Sequence, residues 1–265
     1  MKIEEILSSK PNKLFIALAG FFVTNAIVAE FVGLKIFSLE KTLGLEAFSI
    51  NLFGQDGLGF NLTAGVLMWP VIFVMTDILN EYFGPRSVRF LSYLTIGLIL
   101  YAFIMVYGTI HLSPNDWWTS VSGIDTANSA NSIGNMDLAY RKVMGQGLWI
   151  IAGSMVAFLI GQIVDVYIFH KIKMKTGEGK IWLRATGSTL ISQFIDSFVV
   201  LLIAFWIGSD WPLVRVLAIG TVNYIYKFLV AILLTPVIYL IHDAIEKYLG
   251  HDLASALKKE AASHS

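Results

Sequence analysis

The chain has 265 residues, 56% of them hydrophobic and only 14% charged, with a formal net charge of +0. A soluble domain is about 45–50% apolar and about 25% charged, so this composition, with a mean hydropathy of +0.69, points to an integral membrane protein. No net field recruits nucleic acid, and the absence of cysteine excludes disulfides, thiolate metal sites and cysteine nucleophiles; neither a nucleic-acid partner nor a cofactor is expected.

Six spans of bilayer length, roughly 20 residues each at 1.5 Å rise, follow one another and form a single membrane domain over 1–265. The first, Lys13 to Phe37, is too long and too polar inside for a cleaved signal peptide. It carries Asn25 and Glu30. The second runs from Leu62 to Leu79, and Pro70 is expected to kink it by removing a ladder hydrogen bond. The third is Phe90 to Ile110, the fourth Gly147 to His170, the fifth Ser188 to Gly208 and the sixth Arg215 to Leu240. After it, Ile241, Ile245, Leu249, Leu253 and Leu257 recur every fourth residue among charges, which suggests an amphipathic helix over 241–257 lying on the cytoplasmic face. Two connections are long, Ser38 to Asn61 and His111 to Gln146. Trp117 and Trp118 in the second fit a headgroup-level anchor.

Basic residues in loops set orientation. One side collects Lys2, Lys10, Lys13, Arg86, Arg89, Lys171, Lys173, Lys175, Lys180, Arg184, Lys247, Lys258 and Lys259; the other has Lys41, Arg141, Lys142 and Arg215. The richer side is expected to be cytoplasmic, with both termini on it.

Inside these spans sit ionisable groups, each costing about 2.5–3.5 kcal/mol near the bilayer centre on insertion scales. Asp77, Asn80 and Glu81 share a helix face at i, i+3 and i+4, as a solvated helix end or as a site. Gln162 and Asp165 are i, i+3; pairing with Lys171 is one way to satisfy Asp165. His170 fits an interfacial position. Ser192, Gln193 and Asp196 lie between apolar runs, and Asp196 is too short to snorkel. Asn223 and Lys227 are mid-span at i, i+4, with Asp196 or Glu30 as candidate partners of Lys227. Lys35 is placed to neutralise Glu30 at the outer interface. Carboxylates, amides and the rings of Trp69, Tyr82, Tyr224 and Tyr226 suit a flat, hydrogen-bonding solute, and a cation, an amino acid or a vitamin fits the same residues.

The run Asp77-Ile-Leu-Asn-Glu-Tyr-Phe-Gly84, then Gln162-x-x-Asp165, Trp182-Leu-Arg184, Ser188, Ser192-Gln-x-x-Asp196, Lys227 and Thr235-Pro236, resembles in order and spacing the queuosine precursor transporter family, also called the vitamin uptake transporter family. The resemblance covers the second to the sixth span. It implies import of queuosine precursors, 7-cyano- and 7-aminomethyl-7-deazaguanine or related bases, across the bacterial inner membrane in service of tRNA-modification salvage. It also implies an all-α fold of six transmembrane helices like the substrate-binding components of energy-coupling-factor transporters. On it, Asn80, Glu81, Gln162, Asp165, Gln193 and Asp196 are expected to bind the substrate. Glu30, Asp77, Arg184, Asn223 and Lys227 are expected to balance charge or gate. The partners implied are a small purine-like molecule and the lipid bilayer, with homo-oligomerisation left open.

The alternative is a membrane subunit that binds another vitamin or nucleobase and needs a separate ATPase, since no G-x-x-x-x-G-K-[S/T] pattern is present. An intramembrane enzyme is disfavoured: no aspartate has a Gly-x-Gly-Asp context, and Gly-x-Ser-x-Gly and His-Glu-x-x-His are missing.

Overall fold

In lipid every backbone N–H and C=O must be satisfied within the spanning segment, so long apolar runs become helices. The computed structural model describes residues 9–121, 123–145, 148–176 and 180–263, with Leu148 and Ile181 described as backbone only. The expected fourth-span start at Gly147 and the basic residue Lys2 lie outside them. Among the described residues the protein is mostly helical, and five helical stretches are long and apolar enough to cross a membrane: Lys10–Val32, Ala64–Ile110, Met136–Thr176, Trp182–Ile207 and Leu213–Leu249.

Helix α1 is Lys10–Val32, with Pro11 in its first turn, where a missing N–H costs nothing. The connection that follows is a small cap. It holds β1 (Ile36–Ser38), α2 (Leu39–Thr42), β2 (Ile50–Leu52), β3 (Gln55–Leu58) and β4 (Asn61–Thr63). β1 pairs antiparallel with β4, Ile36 opposite Thr63, and β2 pairs antiparallel with β3. Glu40 is buried at its centre, where it accepts hydrogen bonds from the Phe60 N–H at 2.7 Å and the Ser38 hydroxyl at 2.9 Å. Burial acts to raise its pKa, but these hydrogen bonds outweigh it and hold the carboxyl below its usual value.

A 3-10 turn over Ala64–Leu67 leads into α3, Trp69–Ile110. Pro70 falls in the first turn of α3 and bends nothing, contrary to the kink expected there. The break is at Gly84, with φ 78° and ψ 171°, followed by Pro85 inside the element. Ring contacts locate the two halves: Phe15 of α1 lies 5.1 Å from Phe83 and Phe31 lies 6.3 Å from Phe103. At the other end of α1, Gly65 packs against Ala29 and Gly33.

The second long connection contains α4 (Asp116–Ser120) and α5 (Met136–Met144), N-capped by Asn115 and Asn135. Helix α6 is Leu148–Thr176 and α7 is Ile181–Leu201, continued by a π-helical segment over Leu202–Ile207. These two make the most extensive helix contact in the protein. A side chain at Gly153 would come 2.9 Å from the Val200 carbonyl, so the glycine permits the close approach. Because α7 starts at Ile181, Arg184 belongs to its first turns and not to a loop.

Helix α8, Leu213–Leu249, continues past the expected end at Leu240. Gly250, at φ 89°, turns the chain back into α9, His251–Ser263, which packs on α3. The amphipathic stretch 241–257 is thus divided between the end of α8 and a returning helix. Ala261 of α9 sits against Gly84, Lys258 pairs with Glu246 of α8, and its ammonium lies 5.2 Å from the Tyr82 ring centre.

Two outcomes are expected. Gly84→Ala puts a side chain into a backbone region open essentially to glycine alone and places its Cβ 3.1 Å from the Ala261 carbonyl, so the Tm in detergent should fall, by an amount equivalent to about 1–3 kcal/mol; an unchanged Tm would contradict the break described here. Glu40, held below its usual value near 4.5, stabilises the cap above that value and loses that stabilisation as pH falls through its lowered pKa. An acid titration followed by tryptophan fluorescence should show a cap transition there that Glu40→Gln lacks.

Candidate functional site

Helix α7 carries Arg184, Ser188, Thr189, Ser192, Gln193, Asp196 and Ser197, all buried. Arg184, Ser188, Ser192 and Asp196 recur every four residues, as do Thr189, Gln193 and Ser197 beside them, which puts all seven along one stripe facing α3, α6 and α8. The stripe meets its partners at three levels.

At the basic end, Glu81 of α3 is 1% exposed and Arg184 is 0% exposed. An Arg184 terminal nitrogen donates to Glu81 Oε1 at 2.7 Å, and Lys173 of α6 approaches Oε2 at 3.1 Å and the Glu81 carbonyl at 3.3 Å. The Arg184 guanidinium also lies 5.8 Å from the Phe169 ring centre. Next to it the Tyr82 hydroxyl and His242 Nδ1 are 3.0 Å apart. One carboxylate thereby ties α3 to both α6 and α7.

At the middle level Asp77 and Asp165, both fully buried, face each other electrostatically. Their neighbours are hydroxyls. Ser188 and Thr189 donate to Asp77 at 3.4 Å each, and Ser192 donates to Asp165 at 3.0 Å. Thr76 donates to the Gln162 side-chain carbonyl at 3.0 Å. Asn80 Nδ2, Gln162 Nε2, Asp165 Oδ2 and both amide atoms of Gln193 have no hydrogen-bond partner among the described residues. Such groups are uncommon in packed interiors, because burying them without a partner costs about 1–3 kcal/mol.

At the third level the packing opens. A cavity of about 270 Å³ is lined by Glu30, Trp69, Ser154, Asp196, Asn223 and Lys227 with apolar neighbours, and the cap residues Ile36, Leu62 and Thr63 close its far side. Lys227 forms a buried ion pair with Asp196. The Ser154 hydroxyl donates to Glu30. The π-helical segment supplies Ala204 and Phe205 to the wall, and such segments are frequent where a helix borders a functional site.

The candidate residues therefore divide. Glu30, Asp196, Asn223 and Lys227 come together around the cavity. Asp77, Asn80, Glu81, Gln162, Asp165, Arg184 and Gln193 are buried deeper and are not among its walls. Asp165 takes Ser192 as partner, while the Lys171 ammonium stands 5.6 Å from the Tyr167 ring centre. Glu30 takes Ser154 and not Lys35. Sequence reasoning passed over Thr76, Ser154, Thr189 and the inward turn of Lys173. A hydroxyl within an apolar span is a weak signal, since it can bond its own helix backbone, as Thr76 also does to Ile72 at 3.0 Å.

Removing one partner of a buried ion pair strands a charge and costs about 3–5 kcal/mol. Glu81→Gln, which leaves both Arg184 and Lys173 buried without their shared carboxylate, should lower the Tm in detergent accordingly, whereas Arg184→Gln, which leaves Lys173 on Glu81, should cost less. Equal losses in the two variants would show that Lys173 does not hold Glu81.

The sequence model of the family described as "Putative vitamin uptake transporter" matches residues 63–241. Three named relatives are similar over most of the chain. "Probable queuosine precursor transporter" of Bacillus subtilis (strain 168) is 28% identical over 75% of this chain and 77% of its own length. "Queuosine precursor transporter" of Escherichia coli (strain K12) is 25% identical over 66% of this chain and 70% of its own. "Probable queuosine precursor transporter" of Haemophilus influenzae is 25% identical over 86% of each chain. No solved structure matches the chain. With its long apolar helices, its buried polar stripe and a family match over most of its length, the chain belongs to the vitamin uptake transporter family and is a multi-pass bacterial membrane transporter, not an enzyme.

Proposed function

We propose that this protein imports queuosine precursors, 7-cyano- and 7-aminomethyl-7-deazaguanine or related bases, across the bacterial inner membrane, and that the cavity at the cap end is where they bind. The observation that carries this reading is the meeting of Glu30, Asp196, Asn223 and Lys227 beside Trp69 around one cavity. A carboxylate offers two acceptors to the adjacent N–H groups of a guanine-like edge, and Asn223 can read a carbonyl or a ring nitrogen. The Trp69 ring offers a face for stacking. Glu30 keeps acceptor capacity beyond its bond to Ser154, and Asp196 is held in place by Lys227.

In this reading substrate contact passes from the larger set expected from sequence to the cavity residues. Asp196 stays in the site, Glu30 and Asn223 join it, and Lys227 balances the added negative charge. Glu81 and Arg184 brace the basic end. Gln162, Asp165, Gln193 and Asn80, with their unsatisfied amide and carboxylate atoms, provide the polar route by which a solute leaves the cavity once the helices shift.

The reading includes six crossings with both termini cytoplasmic. Helix α3 at 1.5 Å per residue would reach about 63 Å if straight, twice the roughly 30 Å hydrocarbon core. The contacts of α1 support a hairpin at Gly84. Its start touches Phe83 and its end touches both Gly65 and Phe103, so the segment before Gly84 runs against α1 and the segment after it runs along α1. Six crossings put the basic end in the cytoplasm and the cavity toward the outside. They also fit the expected likeness to the substrate-binding components of energy-coupling-factor transporters.

The test is uptake of labelled precursor by a strain that cannot make it. Wild type should accumulate label; Asp196→Asn should abolish uptake while inserting at normal levels; Glu30→Gln should raise KM about tenfold, the loss of one charge-assisted hydrogen bond. Purified protein in liposomes without any ATPase should still exchange label. No uptake by a correctly inserted wild type would discard the substrate, and normal uptake by Asp196→Asn would remove this cavity from the site.

A further inference from the structure

A second cavity, about 360 Å³, lies at the basic end between the start of the post-Gly84 half of α3 and the last turns of α6. Its residues are of two kinds. Arg89, His170 and Lys171 are basic, Ile163, Tyr167 and Met174 are among the apolar remainder, and none of the lining residues is acidic. Among the described residues neither Arg89 nor Lys171 forms an ion pair with a carboxylate. Tyr167 and Met174 are 61% and 69% exposed, and Phe90 beside Arg89 is 62% exposed, so the groove faces away from the helix bundle.

The distribution of the two kinds is directional. Ile163, Val166 and Tyr167 line the part nearer the bundle middle, and His170, Lys171 and Met174 follow toward the end of α6. From Ile163 to Lys171 the helix advances roughly 12 Å at 1.5 Å per residue. That lies within one leaflet, half of the roughly 30 Å hydrocarbon core. The Lys171 ammonium lies 5.6 Å from the Tyr167 ring centre, where the basic and apolar parts of the groove meet. A soluble anion needs only the basic end. A groove with basic residues at one end and an apolar floor running from them into the leaflet matches an amphiphile with an anionic head.

We propose that this groove is a binding site for an anionic phospholipid of the leaflet at the basic end, its phosphate held by Arg89 and Lys171 and one acyl chain lying along Ile163, Val166 and Tyr167. The site is separate from the substrate cavity, from which it shares no lining residue, and it does not depend on the substrate proposed above. Because it bridges the segment that follows the Gly84 break and the helix that carries Lys173, a bound lipid would fasten these two elements to each other from the bilayer side.

The experiment uses the full-length protein in nanodiscs and in detergent, with phosphatidylglycerol, phosphatidylcholine and inorganic phosphate as probes. Phosphatidylglycerol should be retained through purification and should raise the Tm, while phosphatidylcholine of the same chains does neither. Arg89→Gln with Lys171→Gln should weaken phosphatidylglycerol binding roughly 30-fold, two basic contacts at about 1 kcal/mol each. Lys13→Gln, an exposed lysine of α1 outside the groove, should leave binding unchanged. Equal binding of the two lipids, unchanged binding by the double variant, equal loss in Lys13→Gln, or displacement of the lipid by inorganic phosphate alone would each overturn the proposal. Ile163→Asn should weaken lipid binding without changing its preference for the anionic head, a result that a plain anion site would not give.

Discussion

A charge carried into hydrocarbon must find its partner on another helix, and in this protein that requirement sets how the helices meet. Between helices already in lipid there is no hydrophobic drive to associate. Packing and polar contacts decide register instead. Glu81 is the strongest case, because a single carboxylate from α3 receives Arg184 from α7 and Lys173 from α6. Sliding any of these helices by one turn, about 5.4 Å, would leave at least one buried charge unpaired. The penalty for that is several kcal/mol, comparable with the whole stability of an ordinary domain. Close packing at Gly153 and the turn at Gly84 then fit around a register already fixed.

The Glu81 cluster and the Asp196–Lys227 pair are nevertheless built for different ends. The Glu81 cluster is sealed: carboxylate and guanidinium are each about 1% exposed, and Tyr82 of α3, His242 of α8 and Lys258 of α9 crowd against it. The Asp196–Lys227 pair borders a cavity. A buried pair contributes little net stability compared with apolar residues of the same shape. Its presence on a cavity wall is better understood through what it can do there, holding a carboxylate in an orientation that a polar solute could share.

Much of this could be read from the sequence, and the physical reasons for the gaps are specific. Apolar runs located the long helices, because composition reports burial in lipid directly. The charges within those runs marked Glu30, Asp77, Asp165, Asp196 and Lys227 as special for the same reason. Which charge meets which was not legible for Glu30 and Asp165, since the partners that satisfy them, Ser154 and Ser192, are small hydroxyls from other helices. Nor was the placing of Arg184: a basic residue at a helix start counts toward a loop in any charge tally until its contacts are known. The break at Gly84 was visible as Gly-Pro, yet its geometry depends on a positive φ and on Ala261 returning to pack against it, which no local pattern encodes. The division of the tail at Gly250 has the same origin.

The polar stripe of α7 joins these parts into a working proposal. Along one face it presents Asp196 to the cavity, Ser192 and Thr189 to the buried aspartates, and Arg184 to the sealed end. An importer has to offer a solute polar partners in sequence, since a purine-like base stripped of water loses several hydrogen bonds at once. Gln193 stands one turn inward from the Asp196–Ser197 wall with both amide atoms unsatisfied, and Gln162 and Asp165 keep one such atom each just beyond. In the import proposed above, the carrier would open by bringing those unsatisfied groups into contact with the solute. In the proposed reading, the gain from satisfying them would offset part of the cost of parting α7 from its neighbours.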